Sequence, residues 1–91
     1  MKALAVCGFG VGSSMILKMS LERVFRELGV DAEVDNTDIN DARGANSDVI
    51  FTSYELAEEL RGTTGVPVYS IKKYMDLQEV KEVVQKYLSE K

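Results

Sequence analysis

Lys2-Ala3-Leu4-Ala5-Val6-Cys7-Gly8-Phe9-Gly10-Val11-Gly12-Ser13-Ser14 joins a short apolar run to a strongly helical stretch through a glycine-rich turn. The apolar run reads as a buried strand over residues 2–6. The helical stretch reads as a helix over residues 14–28, with Leu17, Leu21, Val24 and Leu28 forming a stripe at spacings of four, three and four. Between them stands Cys7, the only cysteine, and three of the seven glycines fall within the next five residues. A strand–glycine turn–helix unit of this kind gathers backbone N–H groups at a helix N-terminus. Such a nest binds oxyanions and lowers the pKa of a thiol set in it.

Working outward, the same β-then-α alternation repeats along the chain. Gly29 is placed to end the first helix in a left-handed turn. Val30-Asp31-Ala32-Glu33-Val34 alternates apolar and polar and reads as a second strand. Residues 36–46 are polar and turn-rich, with room for a short helix over residues 39–43. Residues 48–52 read as a third strand, and Ser53 caps a helix reaching Leu60, with Leu56, Ala57 and Leu60 on one face. Residues 62–65 form a loop. A fourth strand covers residues 66–71, where Pro67 argues for a sheet edge. Asp76 and Glu79 have capping-box spacing before a last helix whose Leu77, Val80, Val84, Tyr87 and Leu88 face the core.

This order predicts an α/β fold with a parallel sheet covered by helices on both faces. Right-handed crossovers leave strand order 2-1-3-4 as the expected topology. The Cys7 strand is then central, and the crevice between strands one and three is the switch point where such sheets bind ligands.

Composition narrows the function classes. Ninety-one residues suit one domain, 1–91, with a single ordinary core. One cysteine excludes an internal disulfide and fits a reducing, cytoplasmic setting. Eleven basic against fifteen acidic residues give a net charge of −4, which argues against nucleic-acid binding. No apolar run approaches the ~20 residues of a membrane span, so direct membrane insertion is not expected. With no histidine and one cysteine, no transition-metal site is expected, and no cofactor is implied.

The loop itself carries chemistry. A thiolate is a strong nucleophile, and phosphoryl transfer needs chiefly positioning and stabilisation of spread negative charge. Amides of the Gly8, Gly10 and Gly12 region, with the hydroxyls of Ser13 and Ser14, supply neutral donors. A buried, inert cysteine beside a tight turn is the alternative. A dinucleotide fingerprint needs a third glycine where Ser13 stands, and a nucleotide P-loop needs a lysine before Ser13. A cysteine-dependent phosphatase or arsenate-reductase-like enzyme uses C-x5-R; the arginine position here is Ser13. A non-catalytic anion-sensing module and a redox sensor are further alternatives, the latter lacking a resolving cysteine.

The segment from Cys7 to Met19 resembles the active-site segment of enzyme IIB components of the bacterial sugar phosphotransferase system. It is most similar to the ascorbate-type branch, with its C-G-x-G-x-G-S-S-M-I-x-K-M pattern. The resemblance implies a flavodoxin-like three-layer α/β/α domain. It implies that Cys7 takes phosphate from a phosphohistidine on a IIA protein and passes it to a sugar held by the membrane component, IIC. It also implies that Gly8, Phe9, Gly10, Val11, Gly12, Ser13 and Ser14 cradle the phosphate.

Met15, Ile16 and Met19 lie off the leucine stripe, close to the loop. Met15 and Met19 are candidate partner-docking residues; Ile16 is expected to be buried against the sheet. Asp35 and Asp38 are expected after the second strand as ordinary loop acids, with repulsion of a second anion or capping of the short helix as the alternatives. Tyr54 is expected on the surface over the third helix, and Tyr74 and Tyr87 as packing residues.

Overall fold

The computed structural model describes residues 1–7, 11–42 and 46–90, with the side chains of residue 7 and of residues 11–14 excepted. Four strands and four helices alternate: β1 (Lys2–Cys7), α1 (Val11–Glu27), β2 (Glu33–Asp38), α2 (Ile39–Ala42), β3 (Val49–Thr52), α3 (Tyr54–Arg61), β4 (Val68–Ser70) and α4 (Leu77–Glu90). All strand pairs are parallel, in the order β2-β1-β3-β4. The expected α/β architecture and strand order are therefore observed.

Side-chain alternation along the strands splits the core in two. Ala3, Ala5, Val49 and Phe51 pack with Leu17, Leu21, Val24 and Phe25 of α1 and Val80, Val84 and Tyr87 of α4. Leu4, Val6, Ile50 and Val68 pack on the other face with Ala42 of α2 and Ala57 and Leu60 of α3. The helices thus form two outer layers, α1 and α4 against one sheet face, α2 and α3 against the other. β3 is buried at all four positions, as a central parallel strand covered on both faces requires.

Local chemistry sets most boundaries. Gly29 stands at φ 71° and closes α1 with a paired set of bonds: its N–H donates to the Arg26 carbonyl at 3.1 Å and that of Val30 to Phe25 at 2.9 Å. The Ser53 hydroxyl accepts the Leu56 N–H at 3.4 Å and opens α3. Pro67 immediately precedes edge strand β4, and its carbonyl accepts the Ile50 N–H at 2.9 Å.

Several expectations are corrected. α1 begins at Val11 rather than at residue 14, so residues 11–14 form its first turn. β2 covers Glu33–Asp38 rather than residues 30–34. Its ladder with β1, from Lys2↔Glu33 to Cys7↔Asp38, uses backbone groups only, and an edge strand tolerates the polar run 35–38. Asp35 accordingly sits inside the strand, with Lys2 Nζ 3.6 Å from its carboxylate. β4 is shorter than expected at Val68–Ser70. The short helix ends at Ala42; Arg43 lies outside the described residues. Only half of the capping box forms. Asp76 Oδ1 accepts the N–H groups of Gln78 and Glu79, but Glu79 reaches past Asp76 to accept those of Lys72 (2.6 Å) and Lys73 (3.2 Å).

Candidate functional site at the end of the central strand

β1 is flanked by β2 and β3, and its last residue is Cys7. The chain leaves β1 there and enters α1 four residues later, on the α1/α4 face of the sheet. The connection from β3 enters α3, on the opposite face. Strand order therefore reverses about β1 and β3, and the ends of those strands part to form the crevice where open parallel sheets bind ligands. Cys7 is on that edge.

Gly8, Phe9 and Gly10 lie outside the described residues, as do the side chains of Cys7, Val11, Gly12, Ser13 and Ser14. The backbone that frames them is described. Val11 opens a 17-residue helix, whose first turn, residues 11–14, leaves its N–H groups without intrahelical acceptors and carries the positive end of the helix dipole. No acidic residue stands in that turn. The Val6 carbonyl, in the peptide joining Val6 to Cys7, accepts the Thr52 hydroxyl at 2.9 Å in fully buried surroundings. Asp38, in register with Cys7 on β2, uses Oδ1 to accept the Asp41 N–H at 2.9 Å and so caps α2.

Beside the loop is an apolar rim. Met15 is 50% exposed and Met19 64%. Ile16, expected to be buried, is 43% exposed. The reason is geometric: the buried face of α1 is taken by Leu17, Ser20, Leu21, Val24 and Phe25, which leaves Ile16 at its border. Ile16 and Met19 line a groove of about 330 Å³ with Ser20, Arg23, Met75 and Leu77. Met75 projects from the connection between β4 and α4 and is 79% exposed. That connection is held at both ends, because the Ser20 hydroxyl donates to the Tyr74 carbonyl at 2.6 Å and Glu79 accepts from Lys72 and Lys73.

Sequence reading missed Met75, Ser20 and Thr52. Met75 had a signal, an apolar residue inside the polar turn Lys72-Lys73-Tyr74-Met75-Asp76. Thr52 had a fainter one, the polar end of an otherwise apolar strand. Tyr54 is on the surface at 59% exposure, while Tyr87 is buried and Tyr74 packs partly against the core. No helix among the described residues is long and apolar enough to cross a membrane, and no cluster of three potential metal ligands occurs among them.

A cysteine at the end of a central strand, at the switch point of a small parallel sheet covered on both faces and followed by a helix N-terminus, fits the class of α/β domains that bind ligands at that edge. Within that class, residues 2–86 match the family described as PTS system, lactose/cellobiose specific IIB subunit, and the chain belongs to that family. The ascorbate-specific PTS system EIIB component of Mycoplasma pneumoniae is 30% identical over 87 residues, which is 93% of this chain and 92% of that protein. Its counterpart in Escherichia coli O157:H7 is 33% identical over 64 residues, 68% of this chain and 63% of that protein. The lactose-specific IIB component domain of the phosphotransferase system from Streptococcus pneumoniae shares the fold. It has a TM-score of 0.69 and 16% identity over 98% of this chain and 95% of that one.

Proposed function

We propose that this IIB protein is a phosphocarrier that works through Cys7. In the first step the Cys7 thiolate attacks the phosphorus of a phosphohistidine on a IIA protein, in line with the departing imidazole nitrogen. The P–N bond breaks as the P–S bond forms. In the second step a sugar hydroxyl held by the membrane component IIC attacks the same phosphorus. The P–S bond then breaks, the thiolate returns and the hydroxyl proton leaves to a base on IIC. Amides and hydroxyls of residues 8–14 hold the equatorial oxygens in both steps, so the nucleophile and the incoming group need only be positioned. The reading places residues 1–91 in one domain, acting in the cytoplasm and reaching the membrane through IIC. The ascorbate-specific names of its relatives favour ascorbate or a related sugar or polyol as the transported substrate.

One observation carries the proposal: the only cysteine ends a central strand at the switch point, four residues before the first residue of a long helix. The test is phosphate transfer from phosphoenolpyruvate through the general proteins and a cognate IIA, followed by mass spectrometry. Phosphate is expected on Cys7 and is lost in Cys7→Ala. Phosphate on another residue, or none, overturns it. Rapid turnover of a generic aryl phosphate would instead support the hydrolytic alternative.

A further inference from the structure

We infer that Thr52 is a positioning residue for Cys7, acting through the peptide group between Val6 and Cys7. This rests on the phosphocarrier reading above. On one side of β1, pairing with β2 continues to Cys7↔Asp38. On the other side, the register with β3 ends at Ala5↔Phe51, two residues short of the cysteine. The crevice opens at that step, and the Val6 carbonyl faces β3 beyond the last register pair. There the Thr52 hydroxyl donates to it at 2.9 Å.

Val6 and Thr52 are both fully buried. Water therefore offers the carbonyl no substitute partner, and losing the donor leaves an unsatisfied buried acceptor. Thr52 is itself well anchored. Its carbonyl accepts the Ile71 N–H at 2.8 Å, and the next residue, Ser53, is the N-cap of α3. Branching at Cβ restricts the rotamers open to the hydroxyl. The Val6 carbonyl and the Cys7 N–H share one planar group, so a bond that fixes the first fixes the plane from which Cys7 departs. In-line attack on phosphorus is sensitive to the direction of that departure.

A hydroxyl that merely satisfied a buried carbonyl would change stability and leave transfer alone. Thr52→Val keeps the volume and removes the donor; Thr52→Ser keeps the donor and removes a methyl. In the full chain, with phosphorylated IIA as donor, T52V is expected to lower kcat by about tenfold or more with KM unchanged. T52S is expected to restore kcat, although its thermal midpoint is lower. Wild-type kcat in T52V, or equal slowing in T52S, overturns the inference. Should T52V fail to fold, Thr52→Ala set against T52S keeps the test: slowing in T52A that T52S does not share supports the assignment, and equal kcat in the two removes it.

Because Cys7 is the only thiol, its alkylation by iodoacetamide gives a readout independent of phosphate. The alkylation rate is expected to change in T52V and not in T52S; equal rates in all three proteins overturn the inference. If the wild type takes no phosphate on Cys7, the phosphocarrier reading fails, and the alkylation contrast still reports whether Thr52 orients the thiol.

Discussion

At Gly29 the backbone takes φ 71°, and nothing lies within 4 Å of where a Cβ would stand. Gly29→Ala therefore introduces no clash, only the left-handed backbone penalty, and is expected to cost about 1–2 kcal/mol in urea unfolding. A loss much below that would mean the last turn of α1 rearranges. Gly29, Ser53 and Asp76 were all legible in the sequence, because each acts on backbone two to four residues away. Glu79 shows where local spacing misleads: three residues from Asp76, it satisfies amides six and seven residues back instead. Thr52 left only the faint mark of a polar strand end, and its partner was not legible, since Val6 is 46 positions distant and only the sheet brings them together. The Cys7 position, by contrast, followed from the order of elements alone.

Among the elements, β2 was the hardest to place. Apolar alternation marks burial, and an edge strand whose polar half is held by its backbone ladder gives no such mark. The other edge strand, β4, is tied to the C-terminal helix by side chains. Tyr69 stacks on Phe51 at 6.0 Å and meets Tyr87 edge-on at 5.8 Å, while its hydroxyl donates to Glu90 Oε1 at 2.5 Å. Burial first, and then the Glu90 carboxylate, push the Tyr69 phenol from its ordinary 10.0 up to about 12. The folded protein thus holds this proton more tightly than the unfolded chain does. The resulting stabilisation is complete below about pH 10 and is lost as pH rises through 12. Relative to Tyr69→Phe, the wild type should lose stability between pH 10 and 12, with a constant difference below pH 10. Burial, and then Asp48, also raise Tyr87, which is present in both proteins. A difference that stays flat to pH 12 would remove the Tyr69–Glu90 linkage.

At the scale of the whole molecule, the sheet divides the buried apolar residues between two layers, and among the described residues the large apolar side chains left exposed are Met15, Ile16, Met19, Tyr54 and Met75. Leu17 and Met19 make the contrast concrete: two residues apart on α1, one is fully buried and the other 64% exposed. Leu17→Ala is expected to destabilise the fold by about 2–5 kcal/mol. Replacing Met15 and Met19 together by serine should leave stability within about 0.5 kcal/mol per site, because neither supports the core. If these methionines dock the phosphoryl donor, the same double variant should raise KM for phosphorylated IIA while leaving kcat near the wild-type value. Uniform binding energy lost from a rim appears in KM, whereas a disturbed thiol appears in kcat. The two readouts therefore separate the rim from the crevice: methionine changes move the first, and Thr52→Val moves the second. A double methionine variant with unchanged KM would place the donor's footprint elsewhere on this edge. Met75, held over the same groove by Ser20 and Glu79, would then be the next position to change.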